Sequence, residues 1–475
     1  MATSRINFTE WLPDQPGVIG ALTVAKNVFP KAVGYGAFPA SVEFSLAASE
    51  DLNAVVAARD SDGTTRIIAG GNTKLFLLDS ADLSLDDISG TTYSSSNDWK
   101  FTQFGNSLIA ANGAEKIQYY DLTTTGDFED IDAGAPTVRF LTVVRDFVVT
   151  GFQPTNKSRV QWSGINDPTT WSSSGVTQSD FQDIPDGGQI QGVTGGEFGL
   201  VLLERSIVRM SYVGSPLVFQ FDNISRNLGC YEPNSVVQWQ GITYFLGDDG
   251  FYACDGQNVV SIGAEKVDRF FFVDADEGSF PEMSTAVDPI RNLVMWGYRN
   301  AGDLYRLLVY HVNTKRWSFI DTSINRLSSY ATPAITLEGV DTYSASIDAL
   351  TIPLDSRFWQ GGKLLLGGVS GTKIVTFSGS SLTATIETAD LENEGQSSMI
   401  TLARPIIDEG SASVAIASRN SLNQAITFGG ANQPSSENRV SLRSLGRYHR
   451  LRVEPTGDWS NAIGLDIEIQ PAGMR

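Results

Sequence analysis

A short apolar stretch, bounded by Gly or polar turn residues and followed by a second strand-like stretch, returns seven times along this chain. The copies begin with Ile67-Ile68-Ala69-Gly70-Gly71, Leu108-Ile109-Ala110-Ala111, Phe147-Val148-Val149-Thr150-Gly151, Leu200-Val201-Leu202-Leu203, Ile242-Thr243-Tyr244-Phe245-Leu246, Leu293-Val294-Met295-Trp296 and Lys363-Leu364-Leu365-Leu366-Gly367. They recur at roughly 40 to 70 residues, and the lower end of that spacing is the length of one four-stranded propeller blade. Helical periodicity is scarce, whereas residues 206–213 and 250–256 alternate as strands closed by turns. The expectation is an all-β chain whose main body, residues 46–380, is a β-propeller of six or seven blades. Such a fold hosts many activities, so the repeat alone assigns none.

The flanks differ from the repeats. Residues 1–45 are broken by Pro13, Pro16, Pro30 and Pro39, with a helix-compatible stretch at 21–28. They form an expected N-terminal arm that packs on its own chain or on a neighbouring subunit. Residues 381–475 carry alternating stretches at 413–418, 440–445, 449–453 and 463–469, separated by Ser-, Asn- and Gly-rich loops. They are expected to form a small, separate β-sandwich-like domain. Within it Arg439, Arg443, Arg447, Arg450 and Arg452 lie two to four residues apart, a spacing that lets several share one face. Such a face either meets an acidic partner or is solvated and balanced by Glu454 and Asp458. The candidate partner-binding residues are Arg443, Arg447, Arg450 and, in the arm, Trp11.

The chain of 475 residues exceeds one ordinary core, and its 41% hydrophobic and 19% charged content suits a folded protein rather than a disordered one. With 54 acidic against 34 basic residues the net charge is −20. That balance repels a freely encountered nucleic acid, because phosphate binding is dominated by Lys and Arg. It is compatible with solubility alone or with a wall along which DNA slides without sticking. Cys230 and Cys254 are too few for a disulfide framework and too far apart for a CxxC motif, so buried free thiols are expected. The first residues lack the apolar core of a secretory signal, and no apolar run reaches the length of a membrane span.

Chemistry-bearing motifs are scarce. The two histidines, His311 and His449, sit in strand-like segments without a second His or Cys at ligand spacing, which argues against a zinc site or a Ser-His-Asp triad. Neither a P-loop nor a G-x-S-x-G elbow occurs. Residues 273–278 carry Asp274 and Asp276 like a calcium loop, but the Gly is misplaced and the closing Glu is missing. Gly247-Asp248-Asp249-Gly250 is a hairpin turn by composition. No catalytic residue, cofactor or metal is expected, and the chain is not expected to be an enzyme. The alternative is a polysaccharide-degrading or sugar-binding propeller, although Asp-box turns of the S-x-D-x-G-x-x-W type are missing. Gly-Gly pairs at 70–71, 187–188 and 361–362 lack the fixed period of a kelch-type scaffold.

Four stretches stand in a telling order: residues 159–171 with Trp162, Asp167-Pro168 and Trp171; residues 199–214 followed by Gly229-Cys230; residues 252–263; and residues 446–453 followed by 464–469. Taken in that order they resemble the tail nozzle proteins of short-tailed bacteriophages, also called packaged-DNA stabilisation proteins. The opening with Trp11-Leu12-Pro13 and Gly34-Tyr35-Gly36 is similar to those of phage virion proteins. The resemblance implies a structural subunit of a homo-hexameric ring in the virion tail, made in the host cytoplasm. The ring lies below the portal and its head–tail adaptor protein and extends the channel for double-stranded DNA, which passes without sequence-specific binding. It helps retain the packaged genome and seats tail fibre, spike or needle proteins. Residues 265–290 or 322–358, the longest non-repeating stretches, are expected to supply gate or adaptor contacts.

Overall fold

The computed structural model describes residues 2–94, 98–331, 346, 364–392 and 396–472. Among these the chain is almost entirely β, and its main body consists of seven antiparallel four-stranded units, six of them separate sheets and the sixth in chain order (sheet 6) the first four strands of a nine-stranded sheet. Sheet 1 holds Leu52–Arg59, Thr65–Gly71, Leu75–Leu78 and Leu85–Asp87. Sheet 2 holds Lys100–Phe104, Ser107–Ala111, Gln118–Asp121 and Glu129–Asp130. Sheet 3 holds Phe140–Val144, Phe147–Gln153, Asn156–Trp162 and Asp180–Asp183. Sheet 4 holds Ile190–Thr194, Gly199–Leu203, Ile207–Gly214 and Val218–Ser225. Sheet 5 holds Val237–Trp239, Ile242–Leu246, Phe251–Cys254 and Val259–Ser261. Sheet 6 holds Ser284–Asp288, Leu293–Arg299, Tyr305–His311 and Arg316–Thr322. Sheet 7 holds Arg326–Ala331, Leu364–Ser370 and Lys373–Ser381, and its fourth strand is Pro39–Glu43 from the other end of the chain.

Burial explains this order within each sheet. Every second strand is apolar on both faces because both are covered by neighbouring sheets, so Leu108 to Ala111 and Gly199 to Leu203 are buried without a break. The seven apolar stretches read from the sequence are these seven second strands. The fourth strands of sheets 1, 2, 3 and 5 lie mostly exposed, as in Glu129–Asp130 and Asp180–Asp183. First strands pack on first strands. Those of sheets 1, 2, 3 and 4 follow one another, those of sheets 5, 6 and 7 do likewise, and that of sheet 7 lies against that of sheet 1. Sheets 4 and 5 meet where Gln238 Nε2 donates to the Gly195 carbonyl at 2.9 Å and the Thr194 and Thr243 hydroxyls pair at 2.9 Å.

Residues 2–43 pack on their own chain. The stretch at 21–28, helix-compatible by composition, is extended: Leu22–Lys26 lies between Arg316–Thr322 and Thr385–Thr388, where its backbone N–H and C=O groups find partners. Sheet 6 thereby continues through Thr385–Thr388 into Tyr448–Thr456, which also pairs with Ser411–Arg419. A second sheet runs Val28–Pro30, Tyr35–Ala37, Ala462–Pro471, Ser398–Ile407 and Val440–Gly446, with Ala2–Asn7 on Ala462–Pro471. The four C-terminal stretches read from the sequence are strands, but they share both sheets with N-terminal strands instead of standing apart. One apolar core runs from Phe8 and Trp11 through Trp296 and Trp317 to Ile400, Leu451 and Leu465. Trp317 lies against Trp296 at 5.7 Å and Phe251 of sheet 5 at 5.6 Å, so an aromatic wedge joins sheets 5 and 6.

Residues 265–290 hold the single α-helix among the described residues, Asp268–Asp274, and a 3₁₀ turn, Glu277–Glu282. The calcium-like Asp274 and Asp276 are spent locally. Asp274 pairs with Arg306 at 2.7 Å, and Asp276 accepts from Gly278 N at 3.2 Å. Most of the 322–358 stretch lies outside the described residues. Gly247 to Gly250 is the hairpin turn between Ile242–Leu246 and Phe251–Cys254, and both cysteines are free and buried.

Candidate functional site

The arginine run divides between two sheets. Val440–Gly446 alternates Val440 and Leu442 inward with Ser441, Arg443 and Leu445 outward, and among the described residues it pairs on one side only, with Ser398–Ile407. It is therefore an edge strand. Arg443 and, in the turn beyond, Arg447 are exposed, and neither makes an ion pair among the described residues. Leu445 between them is 62% exposed. Arg450 and Arg452 belong to the facing sheet. Arg450 shares Asp390 with Arg419 at 3.1 and 2.5 Å, all three side chains being largely buried. Arg452 pairs with Glu387 at 2.6 Å and lies over the Phe428 ring.

Two of the four candidate partner residues are thus internal. Arg450 is held by Asp390, and Glu454 and Asp458 are not the balancing acids. Trp11 is fully buried: its backbone N donates to Tyr35 Oη at 3.1 Å, its indole N–H donates to the Thr23 carbonyl at 3.1 Å, and its ring meets Phe270 and Phe319 at 5.0 and 5.2 Å. It ties the N-terminal segment to the core and offers no surface. Arg443 and Arg447 remain as a cationic edge on an acidic chain.

His449 is 2% exposed between the two C-terminal sheets. Its Nδ1 lies 2.6 Å from Ser418 Oγ and its Nε2 3.0 Å from Ser398 Oγ, and Ser444 Oγ donates to Ser418 Oγ at 2.6 Å. A carboxylate is missing from this chain of hydroxyls, so the imidazole is satisfied on both sides without the orienting acid a triad requires. Burial holds its pKa below the ordinary value.

Sequence reasoning missed a polar interior where the first strands converge. One cavity of about 260 Å³ is lined by Val55, Asp98, Lys100, Asn234, Thr285 and Arg326. A second of about 300 Å³, lined by Thr142, Thr194 and Gln238, shares Lys100, Phe101, Val236 and Val237 with the first. Asp98 is taken by Arg326 at 2.7 Å. Lys100 Nζ donates to Asn234 Oδ1 at 3.0 Å, and Asn234 is fixed because its own amide donates to the Pro281 carbonyl at 2.8 Å. Burial lowers the pKa of Lys100 and of nearby Arg139, and raises that of Glu232. A lone Lys after Trp99 in a short strand carries no motif by which sequence could have singled it out.

A separate pocket of about 560 Å³ opens beside the helix, lined by Asp14, Asp249, Tyr252, Glu265, Asp268 and Phe272. Burial, reinforced by Asp14 and Asp249, pushes the Asp268 carboxyl up to about 7 against the opposing bond from Phe251 N. Gly250 and Gly263 make room for it: a Cβ on either would stand 2.2 or 1.9 Å from its oxygens. Among the described residues no cluster of His, Cys, Asp or Glu could hold a metal ion, and no helix is long and apolar enough to cross a membrane. No protein-family model matches the chain, and no curated protein matches its sequence.

Proposed function

We propose that the seven sheets are the blades of a β-propeller and that the chain is a structural subunit of a virion tail, the nozzle ring of a short-tailed phage. The return of the first strands from sheet 7 to sheet 1 supports the propeller. So does the borrowed strand Pro39–Glu43, which completes sheet 7 and ties the two ends of the array together. The sequence resemblance supplies the tail. The observation that carries assembly is the edge strand with Arg443, exposed Leu445 and Arg447, two cations without an ion pair among the described residues of a chain of net charge −20. A heterologous contact between this edge and an acidic face of the next copy closes a ring when the rotation per subunit divides a full turn. In this reading the subunits form a homo-hexamer below the head–tail adaptor, DNA passes along it, and fibres, spikes or a needle attach outside. Averaged electron-microscopic density of the virion tail tests it: six-fold density with a seven-bladed lobe per subunit is expected, and a tail lacking such a lobe sinks the reading.

The sugar-binding alternative draws on one observation, the Asp268 pocket, where an acid kept protonated near neutrality stands among carboxylates and the aromatic rings of Tyr252 and Phe272. Binding or cleavage of a glycan that is lost in Asp268→Asn favours it, and an inert glycan array removes it.

A further inference from the structure

The polar interior between the first strands has a feature that assembly does not use. Lys100 stands at the junction of the two cavities, and its ammonium has three N–H donors. One is given to Asn234 Oδ1. Among the described residues Lys100 has no ion pair, because the neighbouring Asp98 is engaged by Arg326 through two contacts at 2.7 and 3.4 Å. Arg139, whose charge is felt at Lys100, is likewise without an ion pair there, and its guanidinium lies over the rings of Phe140 and Phe152. Glu232 spends one oxygen on Asn234 N at 3.2 Å. Lys100 and Arg326 thus line the first cavity with a single carboxylate, Asp98, inside a chain that is otherwise strongly acidic.

Most other polar groups around the cavities are already committed. Ser328 and Ser329 donate to the Val55 and Val287 carbonyls, Thr285 to the carbonyls of Asn234 and Val236, and Gln238 to Gly195. Two N–H donors of the Lys100 ammonium remain without a partner among the described residues, beside the Arg326 guanidinium that holds Asp98. Each cavity is several times the roughly 30 Å³ that one water occupies, large enough for a tetrahedral oxyanion. A partly desolvated ammonium facing such a space is stabilised by an anion more than by water, because a charge-assisted bond is strongest where the local dielectric is low.

We propose that this interior binds a small dianionic oxyanion of the phosphate class, with Lys100 Nζ as its principal donor and Asn234 as the residue that positions the amine. The ligand is either free inorganic phosphate or the terminal phosphate of a nucleotide. Its role is to supply the acceptors that the Lys100 ammonium lacks where the first strands of the seven sheets meet.

The first test uses the full-length wild-type chain. Lys100 is labelled with an amine-reactive reagent, and its modification is read by peptide mass spectrometry, in sodium phosphate or in sodium chloride of equal ionic strength. Slower labelling of Lys100 in phosphate, with surface lysines unaffected, is expected; equal labelling in the two salts overturns the proposal. Calorimetric titration with phosphate is then compared between wild type and Lys100→Met, for which the loss of a charge-assisted donor weakens binding by about tenfold or more. Heat that persists unchanged in a folded Lys100→Met protein places the anion on surface arginines and overturns the assignment. Repeating the protection with a nucleoside 5′-monophosphate separates the two sources: protection by inorganic phosphate alone means an enclosed ion, and protection by both means the cavity admits the ester.

Discussion

Ser418 and His449 face each other across a pair of antiparallel strands, with Ser418 Oγ 2.6 Å from His449 Nδ1. Ser444 donates to Ser418, so the Ser418 hydrogen points at Nδ1, and Nε2–H is left to donate to Ser398. That order requires a neutral ring, since an imidazolium would bring a second hydrogen against the one from Ser418. Because the folded pKa is depressed, unfolded chains take up a proton below about pH 6.5 that folded chains refuse. Stability therefore falls as pH drops below that value and levels off once the folded pKa is passed. His311, also depressed by burial, adds a contribution of the same sign. His449→Leu is expected to cost about 1–3 kcal/mol near neutrality by stranding hydroxyls, and to remove part of the acid-side loss. Urea unfolding of both proteins between pH 5 and 7.5 checks the difference.

Asp268 works in the opposite direction. Its folded pKa of about 7 lies above that of the unfolded chain, so folded molecules hold the extra proton at intermediate pH. Its contribution is complete below about pH 4 and is lost as pH rises through 7. Asp268→Asn keeps the shape and removes the proton. The variant should gain on the wild type as pH increases from 5 to 8, in urea midpoints measured at both values. An unchanged difference would mean that the carboxyl is not held protonated.

The N-terminal segment docks on the C-terminal sheet through a close backbone approach at Gly34. Its φ of +73° suits glycine, and a Cβ there would stand 2.1 Å from the Ala462 carbonyl oxygen. Gly34→Ala is expected to cost about 2–4 kcal/mol, from backbone strain and from displacement of Ala462–Pro471. Protease sensitivity that rises first within residues 2–37 would locate the damage.

The proposed assembly contact and the fold depend on different arginines. Arg443→Glu with Arg447→Glu should leave the melting temperature nearly unchanged, since exposed substitutions rarely exceed about 0.5 kcal/mol, while blocking incorporation into tails. Arg450→Glu removes a largely buried partner of Asp390, places a like charge beside it, and should cost about 3 kcal/mol or more. Normal incorporation of the double variant would make the edge a solvated strand.

What the sequence discloses follows burial. The second strands stand out because both of their faces are covered, so their residues are apolar without interruption, as at Leu200 to Leu203. Fourth strands such as Glu129–Asp130 are exposed and carry no pattern to read. Non-local pairing is equally silent: nothing near Pro39 announces that its strand completes a sheet begun at Arg326. The arginine spacing is legible but its partition is not, because the turn at Gly446 and Arg447 sends the two halves into different sheets. Trp11 shows the limit of composition, since an aromatic in a Pro-rich opening serves an arm or a core equally well and only packing decides. Lys100 becomes informative only once the first strands are seen to converge.

The most direct test of the proposed nozzle reading is quantitative mass spectrometry of purified virions of the short-tailed phage that this reading requires as the source, counting copies of this chain per portal subunit. The nozzle account predicts about one copy for every two portal subunits, a six-fold ring on a twelve-fold portal. A ratio far above that, or the absence of the chain from virions, would contradict it.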